Sequence, residues 1–467
     1  MKHVSTLSIL ALVGCSEYQL LDGVGSDDDI GPELPGGAPP DGLQGEPPPG
    51  AGPNGGPPGD RPDGPPGGAE GVRERLMDVG LRAVPPPPDL DEALVDLGQA
   101  LFFDPVLSGN RDVSCASCHH PDAATSDDEA LSLGVLGRTP RHAPALYNLH
   151  VQPSLFWDGR VAETPGGLRT PAGDLAHVDD VLTLGAAAAQ AMFPVTSALE
   201  MRGAPGDNEL ADLDDDEAIW AGLMDRLVAI DGYRERFAAA YPDTATDDLH
   251  FAHAANAIAA FEIWAFAATE APVDRFLAGE VDSLSGEALA GADAFLRAGC
   301  ARCHRGPAGT DNRAHTTAVP QLGPGVEGDG ADLGAFAVTD EGRDRYAFRT
   351  PPLVMVAETG PWGHDGAFAD LEAFVGHYDR PEAALRAYDV RANVDDATLW
   401  DDHVTATDDE ILERLDPLTR TGPFDAGAVV AFLEAWTDEE ALGRDVVPSS
   451  VPSGLAVGGQ LPRSLGR

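Results

Sequence analysis

One pattern constrains this chain more than any other. Cys-x-x-Cys-His occurs twice, as CASCH at Cys115, Cys118 and His119 and as CARCH at Cys300, Cys303 and His304. Paired thiols alone would suit a disulfide or half of a zinc site. A histidine directly after both pairs is explained by neither. It is the attachment pattern of c-type haem, in which two thiols bond the porphyrin edge and the adjacent histidine ligates the iron. The chain has five cysteines. The fifth, Cys15, stands in a different context, so two haems account for every other thiol.

That context is the N-terminus. Residues 1–15, MKHVSTLSILALVGC, have a basic start, a short apolar run and a small residue before the cysteine. The run is too short to span a bilayer and reads as a secretory signal. Its end, LVGC, resembles a bacterial lipobox, which implies lipidation of Cys15. Ser16 after it favours the outer membrane over the inner. No later segment is apolar for long enough to span, so the lipid is the expected attachment of an exported, periplasmic or cell-envelope protein. Residues 16–72 include PPPGAGPNGGPPGDRPDGPPGG. Such a segment cannot bury a core and is expected to form a disordered, extended tether. The net charge of −48 argues against nucleic acid, another polyanion, and for a basic protein partner.

Beyond the tether, helical periodicity dominates. ERLMDVGL, LDEALVDLGQALFF, DEAIWAGLMDRLVAIDGYRERFAAAY, LHFAHAANAIAAFEIWAF, GEALAGADAFLRAG, DDEILERLDPL and AGAVVAFLEAWT space their apolar residues for helices, and alternating strands are scarce. The expected fold is mainly α, with two cytochrome-c-like haem domains packed together. Residues 73–245 form the first and 246–440 the second, with a loosely ordered tail over 441–467.

Several phrases, in order, carry a resemblance: LGQALFFDPVLSGNRDVSCASCH, ALSLGVLGR, RHAPALYN, LFWDGR, QAMFPVTSALEM, AAFEIWAF, GADAFLRAGCARCHRGP, RTPPLVMV and PWGHDGAFADLEAFVGHYD. Together they resemble the bacterial di-haem cytochrome c peroxidases and MauG, over roughly residues 74–440. The resemblance implies a peroxidatic haem on Cys115, Cys118 and His119, and an electron-transfer haem on Cys300, Cys303 and His304. It implies distal roles for three residues. Glu200 is the proton shuttle, Gln190 hydrogen-bonds bound peroxide, and Pro194 keeps the site narrow. A carboxylate suits the shuttle because peroxide must lose a proton from one oxygen and gain one on the other. Trp157 matches the tryptophan between the haems, a relay for electrons. The insertion VAETPGGLRTPAGDLAHVDD is expected to be a surface loop.

Many such peroxidases cap the first iron with a histidine until they are reduced. Val135 stands at that position and cannot bind iron, so an open site is expected. His120 is expected at the surface. His142 replaces an asparagine that helps hold calcium between the haems. Carbonyls near Thr350 and Pro352 would complete that calcium site, but imidazole is a poor calcium ligand, which leaves the ion open. His364 and Asp365 are expected near haem propionates or bracing a loop. The second haem's sixth ligand is expected to be Tyr378, as in MauG, with His377 and Met355 as competitors. The implied activity is reduction of hydrogen peroxide with electrons from a small donor such as cytochrome c or a cupredoxin. A MauG-like oxidation of a protein or organic substrate is the alternative. A homodimer is left open.

Overall fold

The computed structural model describes residues 65–458 apart from 66, 174, 176, 327 and 329. Cys15, the lipobox and nearly all of the tether lie outside the described residues. Among the described residues no helix is long and apolar enough to cross a membrane.

The framework is two helix crossings, each beside one CxxCH. The first pairs α2 (Glu92–Phe103) with α7 (Phe251–Ala265). Helix α2 starts where the Asp91 carboxylate accepts the N–H groups of Ala93 and Leu94, satisfying two free donors of the first turn. Its buried face presents Leu97, Gly98, Leu101 and Phe102. Gly98 sets the approach: a Cβ there would lie 1.8 Å from the carbonyl oxygen of Ala257. The second crossing pairs α9 (Gly286–Ala298) with the helix Ala426–Glu434. Here Gly291 plays the same part, since its Cβ would lie 2.0 Å from the Ala428 carbonyl oxygen. Both glycines follow from close backbone contact, where any side chain would overpack. Helix α9 then ends at Gly299, whose φ of +89° turns the chain directly into CARCH.

Residues 216–240 form two helices, α5 (Asp216–Val228) and α6 (Asp231–Ala240), broken at Ile230, where the sequence periodicity suggested one run. Helix α7, just beyond the expected boundary at 245, packs against α2 and against α4 (Gly185–Gln190), both of the first half. Among the described residues the two halves form one contact unit.

Three expectations are corrected. The insertion is not simply a surface loop. Its β-strands Val161–Thr164 and Gly167–Arg169 join Ser154–Leu155 in an antiparallel sheet, and Leu175, Val178 and Leu182 enter the core. Glu163 Oε1 accepts the N–H of Ala186, so the sheet also holds the start of α4. The tail over 441–458 is not loosely ordered: Val446 and Val451 are buried, Ser453 donates to Asp104 Oδ1 at 2.6 Å, and Gly458 N–H donates to Phe103 O at 2.8 Å. A stretch with no clear periodicity gave no sign of that packing. His120 is buried, not at the surface, with Nδ1 accepting the N–H of Asp122 at 3.1 Å.

Candidate active site

Cys115–Cys118 form a single helical turn, α3, and the His119 ring follows at its end. His119 Nδ1 lies 3.0 Å from the carbonyl oxygen of Thr125. His304 Nδ1 lies 3.0 Å from that of Gly309. A carbonyl can only accept, so each ring carries its proton on Nδ1 and keeps a lone pair on Nε2. That tautomer is the one a metal-ligating histidine needs, with the second-shell bond that orients it. Burial lowers both pKa values, that of His119 to about 4, which keeps the rings neutral. None of the four CxxCH cysteines is paired in a disulfide. Among the described residues no three His, Cys, Asp or Glu side chains gather as a metal site, so the zinc alternative has no cluster to occupy.

The first cavity, about 2410 Å³ counted out to its mouth, brings together Cys115, Cys118, His119, Gln190, Pro194 and Glu200. All three distal residues expected from the sequence therefore share one wall system with the first CxxCH. Gln190 ends α4, and Glu200 sits in a π-helical turn, Ala198–Arg202, capped by Ser197 Oγ. Burial raises the Glu200 pKa, and the guanidinium groups of Arg160 and Arg141 oppose it. A carboxyl raised by burial above its ordinary range is more readily protonated than an exposed one, which suits a group that must both take up and give back a proton.

The second cavity is lined by Cys300, Cys303, His304 and Tyr378, together with Thr350 and Pro352. Of the three residues weighed as its sixth ligand, only Tyr378 lines it. His377 Nε2 donates to the Ala318 carbonyl at 2.9 Å. Met355 is fully buried, and its sulfur accepts the Asp438 N–H at 3.4 Å. Burial pushes the Tyr378 phenol up to about 12, with Thr317 acting against the rise.

Trp157, His142 and Arg349 line both cavities. The Trp157 indole N–H donates to the carbonyl of His142 at 2.9 Å. His142 itself is buried, with Nδ1 at 2.9 Å from Glu129 O and Nε2 at 3.3 Å from Ser126 Oγ. Both ring nitrogens are thus engaged within the protein, and Thr350 O accepts the Thr310 hydroxyl at 2.6 Å. His364 stacks on Phe348 in the wall of the second cavity, while Asp365 Oδ2 accepts the N–H of Leu322.

Three charged groups escaped the sequence reading. Arg141 bridges Asp158 at 2.6 Å and Asp332 at 2.6 and 2.8 Å, fixing the rim of the first cavity. Glu262, in AAFEIWAF, lines the first cavity. Arg349, in RTPPL, is 5% exposed and donates only to neutral oxygens, those of Phe156, Gln152 and Asn312. Burial lowers its pKa to about 10. A buried guanidinium without a carboxylate partner is costly. Its position against both cavities fits a haem, which would bring carboxylate groups to it. Oriented histidine lone pairs, flanking free thiols and an unmatched cation thus fit c-type haem in both places.

Fold and sites define a two-haem c-type protein of the oxidoreductase class. The model of the di-haem cytochrome c peroxidase family matches residues 92–282. The methylamine utilization protein MauG of Methylorubrum extorquens is 32% identical over 286 residues, 61% of this chain and 68% of that protein. The cytochrome c551 peroxidase of Pseudomonas aeruginosa is 29% identical over 293 residues, 61% of this chain and 70% of that protein. Among solved structures, a MauG-like protein associated with microbial copper homeostasis aligns with TM-score 0.56 and 25% identity, covering 78% of this chain and 96% of that one. The di-haem peroxidase BthA of Burkholderia thailandensis shares the fold, with TM-score 0.54, 20% identity and coverage of 81% and 99%. The chain belongs to the di-haem cytochrome c peroxidase and MauG family.

Proposed function

We propose that this chain is an exported di-haem peroxidase that reduces hydrogen peroxide to water with electrons from a small redox protein. The observation that carries the reading is the meeting of Glu200, Gln190 and Pro194 with His119 in one cavity. When bound, the two haems supply electron storage and the redox chemistry of peroxide cleavage. The residues supply placement and protons. Glu200 accepts a proton from one peroxide oxygen and returns it to the other. The Gln190 amide hydrogen-bonds the peroxide, and Pro194 narrows the space around it. Trp157 lies between the two cavities and is suited to relay electrons. Cys115, Cys118 and His119 would hold one haem, and Cys300, Cys303, His304 and Tyr378 would hold the other. Each haem is taken to mark its own domain, as the two CxxCH helix crossings suggest. Arg349 answers haem carboxylates from between them.

The reading places the protein in the periplasm or cell envelope, anchored through Cys15, with a basic cytochrome or cupredoxin as donor. The hydrogen bonds of His142 favour a site that works without calcium at Thr350 and Pro352. Peroxide consumption by the oxidised holo protein, with a reduced small cytochrome c as donor, tests the proposal. Turnover without a lag, lowered about 10²- to 10⁴-fold by Glu200→Gln, is expected. Turnover unaffected by that substitution would reject it.

One observation favours a second reading. Tyr378 faces the second cavity while Met355 is turned away. A phenolate ligand stabilises oxidised iron where methionine would raise the potential. This suits MauG-like oxidation of a protein or organic substrate. Slow turnover of small cytochromes, with a long-lived oxidised state after peroxide, would select it.

A further inference from the structure

Three carboxyl groups line the cavity around His119; Asp158 is paired with Arg141 and Arg160, and Glu200 has its role in the reading above. Glu262 is the third. It sits on α7, where every residue is buried except Trp264. Glu262 is 4% exposed, and its Oε2 has no hydrogen-bond partner. It forms the wall together with Cys115 and Ile258.

No charge near it offsets an ionised carboxylate. Across the crossing, α2 offers Glu92 and Asp96, both exposed. Helix α4 has no charged residue. On α5, Glu217 and Asp225 are exposed, Asp216 lies in the first turn, and Arg226 donates to Val106 O, Ser108 O and Glu209. His150, on the short 3₁₀ turn against α7, binds the Pro85 carbonyl. Across the cavity stand Glu200, Asp158, Arg141, Arg160, Arg349, His119 and His142, and beside Glu262 the thiols of Cys115 and Cys118. Arg141 and Arg160 are already paired with carboxylates. An isolated buried carboxyl stays protonated rather than pay for desolvation. Burial alone pushes Glu262 up to about 8.

We propose that Glu262 is a redox-linked proton carrier of the first haem cavity. When one electron enters that cavity from the reductant, one proton from solvent is taken onto the Glu262 carboxylate. When the electron leaves, that proton returns to solvent. Charge in a poorly solvated cavity is then balanced step by step. Below about pH 8 the carboxyl already holds its proton and electron entry draws none; above it, each electron draws one. The inference rests on the proposed reading only in taking the first cavity to hold a haem.

Potentiometric titration of the full-length two-haem protein tests this, from about pH 6 to about pH 10. The midpoint potential of the His119 haem is expected to be flat at low pH and to fall above pH 8. Glu262→Gln should abolish that fall, Glu262→Asp should keep it, and neither should move the slope of the His304 haem. A fall that persists in Glu262→Gln, or no fall in the wild type, overturns the proposal. If Glu262→Gln does not fold, redox-difference infrared spectra of the wild type at about pH 9 decide. A protonated carboxyl band that appears on reduction and shifts in D₂O supports it, and its absence overturns it. Neither measurement uses peroxide, so failure of the peroxidase reading would show separately, in the turnover assay.

Discussion

The amide N–H of Val135 donates to the carbonyl of Glu200 at 3.2 Å. The position where relatives of this kind would carry a capping histidine is thus stitched to the backbone of the proposed proton shuttle. The next bond in the series runs from Leu136 N–H to Leu199 O at 3.4 Å. Gly134 permits the approach, because a Cβ there would lie 2.1 Å from the Leu199 carbonyl oxygen. These two bonds tie the 134–136 turn to the backbone of the 198–202 turn that carries Glu200, and on the proposed reading that contact positions the acid.

Gly134→Ala tests that role. The added methyl must displace the 198–202 turn, and misplacement of about 1 Å in a catalytic group costs about 10²-fold. Peroxide turnover should fall about 10- to 100-fold while both haems remain attached, as judged by the reduced absorption spectrum. Unchanged turnover would show that the turn does not position the acid.

Tyr378→Met should raise the potential of the His304 haem, because a thioether favours reduced iron relative to a phenolate. Potentiometry of both haems checks this, and the His119 haem should keep its own value. Tyr378→Phe should leave the second iron without its sixth ligand and convert it to high spin in EPR spectra. If neither substitution alters the His304 haem, Tyr378 is a packing residue.

The two crossings should respond alike. Gly98→Ala would push a methyl to 1.8 Å from Ala257 O, and Gly291→Ala to 2.0 Å from Ala428 O. Each should destabilise the holo protein by about 1–3 kcal/mol, the usual range for overpacking a tight core. Thermal unfolding of the two variants measures the effect.

Stability should peak in weakly acidic solution. Burial raises the carboxyls of Glu262 and Asp365 to about 8 and of Asp274 to about 7. The folded state then keeps protons that the unfolded state has released, so stability falls as pH rises from their ordinary values toward 8. At the acid end, burial opposes ionisation of Asp158 and Asp332, yet pairing with Arg141 holds both below the ordinary range. Their contribution is present above the ordinary value and is lost as pH falls through the depressed one. Melting temperature against pH checks both limbs, and Glu262→Gln should flatten the alkaline one.

How much was legible depended on whether a residue's role is local. Cys115 to His119 and Cys300 to His304 announce themselves because the chemistry needs all three within five positions. Gln190, Pro194 and Glu200 were readable only through resemblance, since nothing in their own spacing implies a shared cavity. Arg349 was invisible because its meaning is a missing partner: a lone arginine in a sequence does not say that no carboxylate will meet it. The packing of residues 441–458 was equally hidden. It depends on Asp104 and Phe103, which accept its hydrogen bonds from more than three hundred positions away.

The account turns on an open first site with its acid in place. EPR and absorption spectra of the oxidised, as-purified protein test this most directly. The prediction is one high-spin ferric haem, held by His119, and one low-spin ferric haem, held by His304 and Tyr378. Two fully low-spin haems would mean that some other side chain caps the first iron, and would contradict the role assigned to Val135.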